Sequence, residues 1–164
     1  MAIKPLLVLS MALAATAAFS QTPVDTPEWT EEAAPPPPAF SRDRLIPIEM
    51  PPYVTLKVGI DPETVTVGTD GVVRYVVVMR NTSGSVNAAF EGILCSAGDV
   101  KTYARMGSAG TWTVVQEPQW RSMTDNLPSR HAFAISKQGG CDGRSAAKAA
   151  DIVRVLKQGP KSYD

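Results

Sequence analysis

The spacing of apolar positions changes character along the chain. Residues 5–19 are a run of apolar side chains interrupted only by Ser10 and Thr16. From residue 53 the pattern shortens into strand-length pieces. Tyr53–Ile60 is β-rich and is broken by Asp61-Pro62. Thr64–Val67 and Val72–Arg80 flank Gly68-Thr69-Asp70-Gly71, whose Asp-Gly step tolerates the positive φ of a hairpin turn. In Val72–Arg80 one face carries Val73, Tyr75, Val77 and Met79, and the other carries Val72, Arg74, Val76, Val78 and Arg80. This predicts a central strand with its first face in the core. Asn81–Ser85 is a turn, and Val86–Cys95, Val100–Met106 and Trp112–Gln116 are the strands that follow.

The last third of the chain takes a helical period. Ala149, Ile152, Val153 and Leu156 form one stripe, with Lys148, Asp151, Arg154 and Lys157 on the wet side. Ser145 is a candidate N-cap, and Gly159-Pro160 ends the helix. A weaker helix is expected over Ser129–Gln138, closed by Gly139-Gly140. The predicted fold class is α+β: a single antiparallel β-meander sheet with the C-terminal helices packed on one face, and one disulfide. Residues 53–164 suffice for one core and are too few for two.

The apolar run at residues 5–19 follows Lys4 and leads to the small residues Ala18 and Ser20, the pattern of an export signal cleaved before Gln21. A helix over it would span about 22 Å, short of the roughly 30 Å of bilayer hydrocarbon. The expected organisation is therefore a signal peptide at residues 1–20, a flexible acidic and proline-rich segment at 21–52, and the folded domain at 53–164. No transmembrane segment is expected after signal removal. Residues 21–40 hold Asp25, Glu28, Glu31 and Glu32 and no base, followed by Pro35–Pro38, which favours an extended spacer. Trp29 or the Leu45-Ile46 pair would be its points of contact with the domain.

Sixteen basic residues balance sixteen acidic ones. Such a balance offers no electrostatic reason to expect nucleic acid or anionic lipid as a partner. The two cysteines, Cys95 and Cys141, are too far apart for a C-x-x-C motif, and with one histidine they make a poor metal site. In an oxidising compartment the default is a structural disulfide; two buried thiols are the alternative.

Asp70-Gly71-Val72-Val73-Arg74-Tyr75, followed by Asn87-Ala88-Ala89-Phe90-Glu91-Gly92-Ile93-Leu94-Cys95, resembles the cryptic neisserial protein family. Tyr103-Ala104, Trp112, Trp120 and Cys141 fit its later positions, and Trp29, Glu31, Glu32 and Pro35–Pro38 fit its early ones. The family consists of exported bacterial proteins. The resemblance implies an envelope location and a structural disulfide, and it brings no activity with it. Strand order and cysteine placement carry a fainter likeness to small bacterial surface adhesins of the protein E type.

Several side chains are candidates for chemistry. Arg74 and Glu91 lie on strands expected to pair. If facing residue numbers sum to 165 they oppose each other, as a cross-strand ion pair or a polar anchor in a ligand groove; if the sum is 166, Tyr75 opposes Glu91 instead. His131 is the single histidine, with Ser129 and Asp125 as neighbours that a hydrolase would need, but no G-x-S-x-G elbow exists. No catalytic residue, metal site or cofactor is assigned. Trp112, Trp120, Tyr103 and Phe133 are either core or an aromatic platform. The reading that follows is a non-enzymatic periplasmic or extracellular binding module with an unknown envelope protein or ligand as partner. The alternatives are an envelope hydrolase using His131 and a surface-exposed adhesin.

Overall fold

The computed structural model describes residues 28–125 and 129–159. The expected export signal at 1–20, its expected cleavage point at Gln21 and the expected stop at Pro160 lie outside the described residues. The architecture is α+β, with one antiparallel sheet and two helices that follow it. Its strands are β1 (Ile46–Ile48), β2 (Lys57–Ile60), β3 (Thr66–Val67), β4 (Val72–Arg80), β5 (Val86–Leu94), β6 (Asp99–Met106), β7 (Trp112–Val114) and β8 (Arg121–Ser122). The main order is β1-β2-β4-β5-β6-β7, with β3 beside β4 and β8 beside β6. Helix α1 (His131–Ile135) runs on into a π-helical turn over Ser136–Gly140, and α2 (Ala149–Gln158) closes the fold. Among the described residues no helix is long and apolar enough to cross a membrane.

Strand β4 is buried on both faces. Val73, Tyr75 and Val77 face the helices and pack with Ile93, Ile135, Ile152 and Leu156. Val76 and Val78 face the other way and pack with Ala88, Phe90, Tyr103 and Ala104. The helices lie on one face of the sheet, as expected, and residues 28–45 cover the second. Phe40 and Leu45 pack there, and the Phe40 ring meets Trp112 edge-on at 5.8 Å.

Of the stretch expected to be flexible, residues 21–52, the described part from residue 28 is anchored. Ile46 and Ile48 are buried on β1, paired with Ile60 and Val58. The fully buried Asp61 holds the segment just before: its carboxylate accepts from Ser41 N at 2.7 Å and from Arg44 Nε and Nη2 at 2.7 and 2.9 Å. Asp61 therefore does more than break a strand. It clamps the N-terminal segment to the sheet.

Cys95 and Cys141 form the disulfide, with Cα atoms 5.8 Å apart. It staples the end of β5 to the link between the two helices. Helix α2 buries Ile152 and Leu156 from the predicted stripe, and Gly159 at φ 74° ends it. Ser145 does not cap it. The helix starts four residues later, at Ala149, while Ser145 bridges back to Asp142.

Candidate functional site

The strand register decides which polar groups meet. Between β4 and β5 the facing numbers sum to 166: Tyr75 opposes Glu91 and Arg74 opposes Gly92. The structure therefore does not bring Arg74 and Glu91 together. Their side chains lie on opposite faces of the sheet, because neighbouring positions on a strand alternate. Two separate polar centres result, and the bulge in β6 completes both. Phe90 pairs with Ala104 and Glu91 with Thr102, so Tyr103 is the extra residue. Thr102 is thereby turned towards Glu91 and Tyr103 towards Arg74.

On the face covered by residues 28–45, an acidic arm is seated in a basic and aromatic recess. The Glu31 carboxylate accepts from the Tyr103 hydroxyl at 2.8 Å, from the Trp120 indole nitrogen at 3.0 Å and from the Lys101 ammonium. Arg74 Nη2 lies 4.0 Å from the same carboxylate. Burial pushes the Glu31 carboxyl up, but the Lys101, Tyr103 and Trp120 donors more than offset this and hold it below its usual range. The Tyr103 phenol is raised, by burial first and then by the carboxylate it donates to. Arg74 is itself fixed by Asp70 at 2.7 Å and donates to the Glu32 carbonyl at 3.1 Å.

Asp70 also receives Glu32 N at 3.0 Å, and its carbonyl accepts from the Trp29 indole at 2.8 Å. The Trp29 ring meets Trp120 edge-on at 5.9 Å, and Lys101 sits 4.8 Å over the Trp120 ring. Gly92 keeps the recess open. A Cβ there would come within 2.6 Å of the Tyr103 hydroxyl oxygen and 2.8 Å of Val72 Cγ1. Pro35–Pro37 continue the arm past Tyr103 and Val114.

On the helix face, Glu91 is buried with three donors around it. His131 Nε2 approaches at 2.7 Å, Thr102 Oγ1 at 3.1 Å and Tyr75 Oη at 3.4 Å. The other ring nitrogen of His131, Nδ1, bonds Ser129 Oγ. Burial disfavours charge on both partners, yet each stabilises the other's charged form: the Glu91 carboxyl is lowered and the His131 imidazolium is raised above its ordinary value. When the ring is protonated it donates from both nitrogens, and Ser129 Oγ then accepts from Nδ1. A serine nucleophile needs the reverse, a neutral nitrogen that takes its proton. Ser129, His131 and Glu91 have the composition of a hydrolytic triad, and the His131–Glu91 contact is also that of a buried ion pair.

The acidic partner of His131 is Glu91 rather than the nearby Asp125. Of the four aromatics, Tyr103 and Trp120 share the arm recess, whereas Trp112 packs on Phe40 and Phe133 lies with α1 on the helix face. Sequence reasoning missed Glu31, Lys101 and Asp70 as site residues. The signal that pointed to them was complementarity: an arm with four acids and no base, and a strand face that places Arg74 among valines.

Comparison with known proteins bears out the family resemblance. The chain is similar to "Cryptic neisserial protein 1" of Neisseria gonorrhoeae (strain ATCC 700825 / FA 1090), 27% identical over 195 aligned positions that cover 99% of this chain and 94% of that protein. No solved structure matches it. The model of the CNP1-like family matches residues 24–157, from the acidic arm through α2, and the chain belongs to that family.

Proposed function

We propose that the chain is exported to the cell envelope and works there as a non-enzymatic binding module. The leader-like residues 1–20 and the Cys95–Cys141 disulfide support the location. The observation that carries the binding role is the Glu31 seat. A carboxylate on a segment that makes no strand pairing is held by an ammonium, a phenol and an indole, with a guanidinium close by. This is the chemistry of acidic-peptide recognition. The arm is the resident ligand, and a partner's acidic segment with a nearby aromatic residue takes its place.

The competition can be measured. A fluorescent peptide spanning residues 28–38 is titrated by anisotropy into the mature chain and into its Glu31→Ala variant. The variant binds at least about tenfold more tightly than the wild type, whose own arm competes at an effective concentration on the order of millimolar. Adding Lys101→Ala to Glu31→Ala abolishes binding. Equal titration of both proteins, or none with the variant while its melting temperature stays near wild type, disproves the role. So does failure of Glu31→Ala to fold, which would make the arm structural cement.

A further inference from the structure

A second site lies on the opposite side of the molecule and is independent of the arm. A groove of about 400 Å³ runs between residues 49–53 and α1. Its walls are apolar: Met50, Pro51, Pro52, Tyr53 and Phe133. Tyr53 is 71% exposed, the most exposed of the large hydrophobic side chains among the described residues. The groove is preformed at one end. Gln138 accepts from Glu49 N at 2.9 Å and donates to Glu49 O at 2.8 Å, locking the loop to the helical turn.

Two cations line it, Arg130 and Lys137, at 5.6 and 5.5 Å from the centre of the Phe133 ring. Glu49 is the one acid among the lining residues, so the groove is positive. Among the described residues neither cation has an ion-pair partner. Arg130 is unusual twice over. Its backbone is left-handed at φ 52°, ψ 21°, and its buried Nε has no hydrogen-bond partner among the described residues. A left-handed backbone on a non-glycine residue carries a cost and is found disproportionately at ligand-binding positions.

We propose that this groove binds a single-chain carboxylate of fatty-acid type, with the chain along Met50, Tyr53 and Phe133 and the carboxylate against Arg130 and Lys137. A peptide fits less well. The Glu49 N–H and C=O are already taken by Gln138, so an extended backbone would leave its own polar groups unpaired on apolar walls. An alkyl chain has no such groups to satisfy.

The test uses the mature full-length chain and dodecanoate, titrated calorimetrically below its micelle-forming concentration. One equivalent binds. Lys137→Glu weakens binding at least about tenfold, and Phe133→Ala does so again, both without loss of the near-UV circular dichroism of the wild type. A neutral detergent of the same chain length binds at least about tenfold more weakly than dodecanoate. No saturable binding, or binding that Lys137→Glu and Phe133→Ala leave unchanged, overturns the proposal. Binding to phosphatidylglycerol vesicles or to an acidic peptide in place of dodecanoate also overturns it, by reassigning the groove to a membrane surface or to a protein partner. Because the arm lies on the other face of the sheet, Glu31→Ala leaves the titration unchanged, which separates this outcome from the fate of the arm recess.

Discussion

Glu91 and His131 join the sheet to α1 by charge, each holding the other's charged form against the cost of burial. The direction of each shift fixes the pH range in which the pair stabilises the fold. His131 is raised, so its contribution is complete below its unfolded value of 6.5 and is lost as pH rises through the higher folded value. Glu91 is lowered, so its contribution is complete above its unfolded value of 4.5 and is lost as pH falls through the lower folded value. The pair therefore contributes most between these two unfolded values. Glu91→Gln keeps the shape and removes the charge, and it should cost about 3 kcal/mol near pH 6, where breaking a buried pair exposes an uncompensated ion to a dry site. Urea unfolding of both proteins from pH 4 to 10 checks this. A difference that does not shrink on the alkaline side would show that the histidine charge is not involved.

Strand β4 shows how far an element could be read from its letters. Its length, its central place and the Asp70-Gly71 turn before it were all legible, because local propensity and tertiary position agree there. The second buried face was also written in Val72, Val76 and Val78, but the segment that covers it is rich in proline and acid. Composition of that kind suggests a spacer, since it offers little apolar area to bury. What holds it is a set of directed bonds at Glu31, Glu32, Asp61 and Asp70, and periodicity carries no information on those. The β6 bulge was illegible for the same kind of reason, as one surplus residue leaves the alternation intact on either side of it.

The helical layer depends on a different fastening. Cys141 sits after the π-helical turn, whose Gly139 takes φ 127° against Val155. Removing the cross-link with Cys141→Ser is expected to lower stability by about 4 kcal/mol through loss of loop-closure restraint. Amide exchange should quicken in α1 and α2 well before it does in β4 and β5. Uniform acceleration across the sheet would mean that the bond restrains the whole fold rather than one layer.

At the scale of the whole molecule, the sheet is a partition with different chemistry on each side. One side carries the Glu91–His131 pair under the helices and the other carries the Glu31 recess under the arm. Charge balance was readable at this scale; the partition was not, because it depends on a register whose two options, 165 and 166, the letters leave equal. Tyr103 and Thr102 serve opposite sides only because β6 is one residue longer than its partner requires. Strand β6 should accordingly be the least forgiving place for an insertion or deletion. Excising Thr102 would restore a plain ladder, rotate the phenol of Tyr103 inward to Glu91, and strip both centres at a stroke. Trimming one residue from the hairpin tips at 81–85 or 107–111 should be borne with little change in melting temperature, so a scan of single-codon deletions would map this dependence along the gene.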